Sequence, residues 1–494
     1  MGLLQSPPKL VVCPCVPEEG IGIIGGMKRK IYKKMLEWKA VSDGRSALMI
    51  DGARRVGKSW IAEEFAKNEY ESYLLIDFSK VSKTVKRCFR EYLDNLDTFF
   101  MYLLGEYNAE LTPRKSVVIF DEVQLFPRAR EAIKHLVADG RYDYIETGSL
   151  ISINKNVGSI LIPSEEHHLE MFPMDFEEFL WATGNSGMMP IIRSAYEKSV
   201  CVGDGMHRRI MDVFRQYLVV GGMPQAVAMF ASTHDLRRVD AEKRDILTLY
   251  RADILKHGGN SKHKILAVFN AIPGALSRHE WRFSPGDVKK GAGMREYEAS
   301  FEWLKSAMTV NLAYNATEPN IGLELSSDHS CLKCYLGDTG LLVSMAFSEN
   351  ELVAGEVQQR LLTGRLEVNA GTIYENLVAQ MLRASGQQLH FYASSDASSR
   401  ADRMEIDFLI AKSDLKRRRN ISPIEVKSAG NYQTKSLDKF RAKYGRFLDT
   451  AYVLHPKDLK IGDGAIHFPL YMAPLLMERR AATPGVSVHG GGDL

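Results

Sequence analysis

Eight consecutive residues have the types and spacing of a phosphate-binding loop. Gly52, four further residues and then Gly57-Lys58-Ser59 fit the pattern of a glycine, four residues and Gly-Lys-Ser/Thr. Glycines let a backbone wrap a polyphosphate, and the N–H groups at a helix start attract it. Lys58 would reach the β- and γ-phosphates of ATP, and the Ser59 hydroxyl would hold Mg²⁺. The predicted ATP-binding residues are Gly52, Ala53, Arg54, Arg55, Val56, Gly57, Lys58, Ser59 and Trp60.

Two carboxylates follow an apolar run further along the chain. Residues 116–120 read as a buried strand, and Asp121 and Glu122 stand at its carboxyl end, where open α/β sheets place ligands. Asp121 would join the Mg²⁺ shell through water or Ser59, and Glu122 would polarise the water that attacks the γ-phosphate. Lys58 and Glu122 are therefore predicted catalytic residues.

A hydroxyl after the next strand adds a third element to this site. Residues 142–149 read as a strand that runs into a polar turn. In ATPases with an extra strand between the loop strand and the carboxylate strand, a polar residue there senses the γ-phosphate. Thr147 and Ser149 are both candidates, and ordinary turn chemistry is the alternative.

A second group of chemically suited residues lies near the other end of the chain. Glu375 shares a helix face with apolar residues, Asp407 lies on an alternating strand, and Glu425 and Lys427 share a face of the next strand. An Asp on one strand and Glu-x-Lys on the next is the arrangement of restriction-endonuclease-like nucleases. Asp407 and Glu425 would share Mg²⁺, Lys427 would stabilise developing charge, and Glu375 would add a ligand or orient water. A cross-strand ion pair is the alternative for Glu425 and Lys427.

The elements around the first group predict an α/β fold built on a parallel sheet. Apolar runs at 47–50, 73–78 and 116–120 read as buried strands, and 168–171 reads as a last strand. Residues 60–66 read as a helix after the loop, and 84–106 as one amphipathic helix.

Length and composition limit the number of domains, the kinds of partner and the location to be expected. A chain of 494 residues suggests roughly three domains. The net charge of +3 excludes a polycation, so any nucleic-acid surface would be a local patch. No apolar run is long enough to span a membrane, and six scattered cysteines fit a reducing cytoplasm, so a cytoplasmic protein without a membrane partner is predicted. Residues 1–26 read as a disordered extension or an overlong start before Met27.

The combined motifs resemble a large prokaryotic family of AAA-like P-loop ATPases that carry a C-terminal domain of unknown function. The resemblance rests on the loop, the Phe-Asp-Glu-Val-Gln run from Phe120, the Thr-Gly-Ser turn, Phe172–Phe179, Tyr217–Gln225 and Leu336–Leu342. It implies an ATPase core over 27–182, a helical lid over 183–260, a winged-helix-like region over 261–350 and a restriction-endonuclease-like domain over 365–475, before a disordered tail over 476–494. The family commonly has Gly-Arg after the sensor turn, and this chain has Gly158-Ser159 instead.

These observations leave three functional hypotheses. The first is Mg²⁺-dependent ATP hydrolysis coupled to a C-terminal effector that handles DNA or RNA. The second is a nucleotide-dependent switch or scaffold that binds a protein partner through an inactive nuclease-like domain, and the third is an ATP-regulated nuclease. A homo-oligomer would allow an arginine from a second copy to act on the γ-phosphate, and Arg215 and Arg251 are candidates by location.

Overall fold

In this computed structural model, the described helices and strands belong to two units. The structure describes residues 9–11, 27–148, 165–278, 282–320, 322–347, 351–365, 370–394, 403–411, 420–462 and 464–477. Unit 1 takes its described residues from Met1–Met174, Ala252–Lys262 and Glu302–Thr309. Unit 2 takes its residues from Asp175–Arg251, His263–Phe301 and Val310–Leu494.

The described helices and strands have the following bounds. The helices are α1 (Ile31–Ser42), α2 (Lys58–Glu69), α3 (Lys83–Glu91), α4 (Leu96–Tyr107), α5 (Pro127–Asp139), α6 (Phe176–Ala182), α7 (Met188–Lys198), α8 (Asp204–Val220), α9 (Pro224–Thr233), α10 (Leu236–His257), α11 (Lys262–Ser277), α12 (Met294–Ser306), α13 (Thr339–Ala346), α14 (Glu351–Leu362), α15 (Ala370–Ala384) and α16 (Lys435–Tyr444). The strands are β1 (Lys9–Val11), β2 (Ala47–Gly52), β3 (Ser72–Asp77), β4 (Ser116–Asp121), β5 (Asp143–Gly148), β6 (Glu166–Met171), β7 (Val310–Ala316), β8 (Ser327–Leu336), β9 (Leu389–Ala393), β10 (Glu405–Ala411), β11 (Ile421–Val426), β12 (Tyr452–His455), β13 (Lys460–Gly462) and β14 (Ala465–Pro469).

Unit 1 is built on a parallel sheet, as its apolar runs predict. Among the described strands the order is β1-β3-β4-β5-β2-β6, and each neighbouring pair is parallel. Both β2 and β4 are buried along their whole length, because a parallel sheet is covered on its two faces. The order places β4 and β5 side by side and β2 next to β5. The carboxyl ends of these three strands therefore meet at one edge.

Alternate residues of these strands feed two apolar cores. One face packs Met49, Val118, Phe120 and neighbours against α3, α4 and α5. The other face packs Leu48, Ile50 and Val117 against α1 and α2. Since side chains alternate across a strand, one continuous apolar run supplies both layers. This two-sided packing fixes the strand ends that carry the polar residues.

The region predicted as one helix over 84–106 forms two helices, α3 and α4. The break lies at Tyr92–Asn95, where the Asn95 side chain accepts a hydrogen bond from the Thr98 backbone N–H at 3.0 Å. An asparagine in this capping role starts a new helix, because it satisfies a donor that has no partner within the helix. The amphipathic pattern is the same on both sides of the break, so periodicity alone does not reveal it.

Unit 2 contains a mixed sheet with the order β13-β14-β12-β11-β10-β9-β7-β8 in the described residues. Strands β9, β10 and β11 form an antiparallel meander, and β11 is parallel to β12. Helix α15 precedes the meander, and α16 lies between β11 and β12 in sequence. These elements lie in the region predicted as restriction-endonuclease-like, and that fold stays a prediction.

A winged-helix region is predicted over 261–350 and a separate second domain over 365–475. The structure shows instead that both regions contribute strands to this one sheet. Strands β7 and β8 form an antiparallel hairpin, and β7 is also parallel to β9 through Ala313 and Leu389. The hairpin thus extends the same sheet, because β7 is hydrogen-bonded to β9. Of the residues over 183–260 predicted as a lid for the nucleotide, those up to Arg251 are assigned to unit 2 and those from Ala252 onwards to unit 1. The lid function stays a prediction.

Two of the stretches that carry the family resemblance contact each other inside unit 2. Asp338 is 1% exposed and accepts hydrogen bonds from the backbone N–H groups of Gly222 at 2.6 Å and Leu341 at 2.9 Å. The fully buried Lys243 donates to the carbonyls of Val219 at 2.8 Å and Gly340 at 3.2 Å. The polar residues of these stretches therefore satisfy one another within the core.

The remaining composition-based predictions have simple outcomes. Residues 9–11, within the predicted disordered extension, form the edge strand β1. In the part of the chain that the structure describes, Cys88, Cys201, Cys331 and Cys334 are free thiols. Within those same residues, no helix combines the length and the apolar character needed to cross a bilayer.

Candidate nucleotide site and C-terminal pocket

The phosphate-loop sequence forms a turn between β2 and α2. Arg55 and Gly57 have φ angles of 68° and 99°, in the left-handed region that favours glycine at the second position. A Cβ added to Gly52 would lie 2.6 Å from the Met171 carbonyl oxygen, so only glycine fits where β2 passes β6. Trp60, in the first turn of α2, packs partly buried against the core behind the loop. The backbone N–H groups of the first turn of α2 are thus presented at the loop, as anion binding requires.

Lys58 is held inside the loop. Its Nζ donates to the carbonyl oxygens of Gly52 at 2.9 Å and Ala53 at 3.0 Å, and the residue is 8% exposed. Burial lowers the pKa of Lys58, while the carboxylates of Glu122 and Asp121 act in the opposite direction. The side chain therefore places a cation beside the loop, in contact with uncharged acceptors. A negatively charged phosphate would form stronger hydrogen bonds with this ammonium than the two carbonyls do.

Ser59, Asp121 and Thr147 form one hydrogen-bonded group at the strand ends. Ser59 Oγ donates to Asp121 Oδ1 at 2.6 Å, and Thr147 Oγ1 donates to the same oxygen. Burial raises the pKa of Asp121, and the two hydroxyl donors lower it. A hydroxyl and a carboxylate are hard oxygen ligands of the kind that Mg²⁺ takes beside a phosphate. These residues fit the magnesium ion predicted here.

Glu122 is positioned by both its backbone and its side chain. Its φ angle is 54°, and its N–H donates to Thr147 Oγ1 at 3.3 Å. The Gln124 side-chain amide donates to the Glu122 carboxylate. Gln124 belongs to the short 3₁₀ turn Val123–Leu125, so the segment after β4 orients its own acid. Thr147 thus contacts both carboxylate residues, whereas Ser149 lies outside the described residues.

Two arginine contacts at this site were missed by the sequence reasoning. Arg29 is 7% exposed and donates to the carbonyls of Val56 at 3.0 Å and Phe172 at 2.7 Å, which ties the loop to the chain after β6. Arg54 forms an ion pair with Asp253, near the end of α10. Both partners are far away in sequence, so neither contact has a local signal.

A partly buried group of charges also supports the end of β2. His168 Nδ1 lies 2.8 Å from Asp51, and its Nε2 lies 3.2 Å from Glu166. Hydrogen bonds to these two acids raise the pKa of His168 to about 9. Arg130 of α5 forms two hydrogen bonds to Glu166, at 3.0 and 2.6 Å. Burial raises the pKa of the neighbouring Glu146 well above its usual value. The charges hold β2, β6 and α5 together beside the loop.

A second candidate site is a solvent-accessible pocket of about 210 Å³ in unit 2. It brings together Glu375, Asp407 and Lys427 of the predicted nuclease site, and adds Lys333 and Glu405. The other lining residues are Ala275, Leu276, Arg282, Phe283, Cys334, Gly371, Thr372 and Val426. Burial and the Glu375 carboxylate raise the pKa of Asp407 to about 8, and its Oδ2 accepts from the Val426 N–H at 2.7 Å.

Glu425, the fourth predicted residue, does not line this pocket. It is 2% exposed, and its register partner on β12 is Val453, which packs in the core beneath α16. Burial raises its pKa, and Lys427 and the Leu437 backbone N–H lower it. Lys427 Nζ lies 2.8 Å from the Glu425 carboxylate, an ion pair between residues two apart in the sequence and not the cross-strand pair left open as an alternative.

The residues present do not fit the Mg²⁺ ion predicted for the C-terminal site. Within the described ranges, no group of three or more acidic, histidine or cysteine side chains is arranged to hold a metal ion. Lys333 Nζ instead lies 2.8 Å from Glu375 and 2.7 Å from Glu405. The basic run over 416–419 lies outside the described residues.

The two candidate arginines have local partners in unit 2. Arg215 forms an ion pair with Asp212 at 3.0 Å, and Arg251 Nε donates to Asn270 at 3.1 Å. A contribution of either residue to ATP hydrolysis stays a prediction.

Three family models match successive parts of the chain. Residues 44–180 match an AAA domain, residues 211–352 match a domain of unknown function (DUF8612), and residues 370–472 match a second domain of unknown function (DUF4143). The search of curated proteins found no sequence match.

Solved structures show distant similarity. A Walker-type ATPase of Pyrococcus abyssi is 13% identical over 65% of this chain and 96% of its own, with a TM-score of 0.37. The ORC2 protein of Aeropyrum pernix is 14% identical over 68% of this chain and 93% of its own, with a TM-score of 0.27. The RuvB Holliday junction branch migration motor of Thermotoga maritima is 15% identical over 59% of this chain and 90% of its own, with a TM-score of 0.25. The chain therefore matches the model of an AAA domain over residues 44–180 and the models of two domains of unknown function in its C-terminal part.

Proposed function

We propose that unit 1 binds ATP with Mg²⁺ at residues 52–60 and hydrolyses it. The observation that carries this proposal is the hydrogen-bonded group of Ser59, Asp121 and Thr147, placed beside the buried Lys58 at the ends of adjacent strands. A loop that only bound phosphate would need no carboxylate at this position. The Asp121-Glu122 pair adds an acid for the metal shell and a base for water.

Each side chain has a role that follows from its contacts. Lys58 exchanges its two backbone carbonyl partners for phosphate oxygens, which costs little because both partners are uncharged. Mg²⁺, when bound, neutralises phosphate charge next to Ser59 and Asp121. Glu122, held by Gln124 and by its own backbone, accepts a proton from the attacking water. Thr147 links the two carboxylate residues and reports on the γ-phosphate.

Glu122→Gln is expected to separate ATP binding from ATP hydrolysis. The amide keeps the size of the side chain but cannot accept the proton, and a general base contributes about 10²- to 10⁴-fold to a rate. ATP affinity should change by less than about threefold while turnover falls by at least ~10²-fold. Measurement of phosphate release and of equilibrium binding of a fluorescent ATP analogue distinguishes the two effects.

Glu131→Gln provides the matched control, because Glu131 is an exposed acid on the following helix. It should leave both quantities unchanged. Full turnover in Glu122→Gln would remove Glu122 from the mechanism, and no turnover in the unmodified protein would contradict the proposal itself.

A second candidate function is the binding of nucleic acid by unit 2. It is supported by the order of α15, the β9–β11 meander, α16 and β12, and by a pocket whose lining includes Arg282 and Lys427. Cationic side chains at such a pocket would contact phosphates, and binding would then weaken steeply with salt. The rivals are a switch that binds a protein partner and an ATP-regulated nuclease.

A salt titration tests this candidate. The affinity for a short DNA or RNA duplex, measured by fluorescence anisotropy, should fall linearly on a log–log plot against salt concentration. Arg282→Ala should lower the slope by about 1 if this side chain contacts a phosphate. Lys67→Ala, a change in unit 1, is the control and should not alter the slope. No binding at low salt would favour the protein-partner switch.

A further inference from the structure

Lys333 lies between two acidic side chains, Glu375 and Glu405, in the pocket of unit 2. It projects from β8, its side chain is 6% exposed, and its ammonium contacts both Glu375 and Glu405. The Nζ atom lies 5.3 Å from the centroid of the Phe391 ring on β9, so an aromatic face shields it from the side. The ammonium is thus clamped between carboxylates from α15 and β10.

Hydrogen bonds keep this ammonium in place, because Lys333 Nζ donates to Glu375 Oε1 at 2.8 Å. The Tyr335 hydroxyl, two residues along the same strand, donates to the same Glu375 oxygen. Both donors therefore come from one face of β8 and converge on Glu375. A buried ion pair of this kind holds only when its remaining acceptors are satisfied.

A divalent ion would meet two obstacles in this pocket. Mg²⁺ needs near-octahedral oxygen ligands at about 2.0–2.1 Å, and two of the nearest carboxylates already contact the ammonium. An ion at the same carboxylates would also lie close to a fixed positive charge. Glu425, the expected second strand ligand, is directed towards α16 and the Leu437 backbone.

We infer that Lys333 supplies from within the protein the cation that Glu375 and Glu405 would otherwise take from solution, so that the C-terminal site holds no divalent metal while Lys333 is in place. The inference is independent of ATP hydrolysis by unit 1. For unit 2 it means that nucleic acid, where bound, is held without Mg²⁺-dependent cleavage at this pocket.

Lys333→Met tests the inference in the full, nucleotide-free chain. Methionine keeps much of the length and apolar volume of lysine but removes the ammonium that contacts Glu375 and Glu405. Electron paramagnetic resonance with Mn²⁺ counts bound ions directly. Lys333→Met should bind one more Mn²⁺ than the unmodified protein, and Mn²⁺ should raise its Tm.

Two controls separate this effect from general loss of charge. Lys333→Arg keeps a cation and should gain no ion. Lys427→Met removes a lysine from the same pocket but leaves the Lys333 contacts, and it should gain none. A folded Lys333→Met protein without an added Mn²⁺ would overturn the inference.

A second test of the inference keeps Lys333 in place, so it applies even if Lys333→Met does not fold. Glu375→Gln should leave the number of Mn²⁺ ions bound to an otherwise unmodified chain unchanged. Loss of one ion in Glu375→Gln would show that the pocket already holds a metal and would overturn the inference.

Discussion

Lys58→Ala is expected to abolish ATP turnover, with a fall of at least ~10²- to 10³-fold, the cost of removing one preorganised electrostatic contact to a developing charge. Lys58 is 8% exposed and donates to two loop carbonyls, so its ammonium is held in position beside the loop. Alanine keeps the helix, because it is the best helix former. ATP affinity should also fall, since the ammonium contacts the ground-state phosphates as well.

The matched control for this variant is Lys67→Ala on the same helix. Lys67 is 39% exposed and pairs with Glu63 one turn away, an interaction worth only a few tenths of a kcal/mol. Release of ADP in a coupled assay should therefore be normal in Lys67→Ala. Unchanged turnover in a folded Lys58→Ala protein would contradict the nucleotide-site assignment, whereas loss in both variants would point to a folding defect.

Asp338→Ala is expected to cause the largest loss of stability in unit 2. The carboxylate caps α13 and accepts from Gly222 and Leu341, and the residue is 1% exposed. Its removal leaves two buried N–H groups without an acceptor and deprives the buried Lys243 of a nearby negative charge. Unpaired buried donors cost about 1–3 kcal/mol each, and broken buried charge contacts about 3–5 kcal/mol. We expect the free energy of unfolding to fall by about 3–5 kcal/mol.

Urea denaturation followed by circular dichroism measures this loss. Asp338→Asn should lie between the alanine variant and the unmodified protein, because the amide oxygen can still cap α13. Asp212→Ala is the control, since Asp212 is 66% exposed and forms only a surface pair with Arg215. A change below about 1 kcal/mol in Asp338→Ala, the lower end of the cost of an unpaired buried donor, would show that the contacts with Gly222 and Leu341 do not hold the unit together.

The nucleotide site could be predicted from the sequence because its parts are local. Residues 52–59 are contiguous, and a strand before them and a helix after them suffice to shape the loop. Asp121 and Glu122 follow their strand directly, so the parallel order of the strands brings them to the loop. The contacts of Thr147 with Asp121 and Glu122 depend on the pairing of β4 with β5, so the sequence alone does not show them.

The C-terminal site could be predicted only in part, because strand register decides which side chains meet. The pairing of β10 with β9 is irregular between Ile406 and Leu409, where a shift of register changes the face on which a residue lies. Asp407 lines the pocket, while Glu425 on the neighbouring strand is directed towards α16. Alternation along each strand, taken separately, cannot show this difference.

The sequence by itself determined the phosphate loop, the carboxylates after β4 and the apolar runs of a parallel sheet, because each depends on neighbours along the chain. Tertiary structure alone decided which distant residues complete the sites. Arg29, Asp253 and Lys333 have no local pattern, and each acts through a partner that is distant in the sequence. The charge of Lys333 finds its counter-charges only when β8, β10 and α15 are assembled, and for that reason the cation of the C-terminal pocket is a property of the fold.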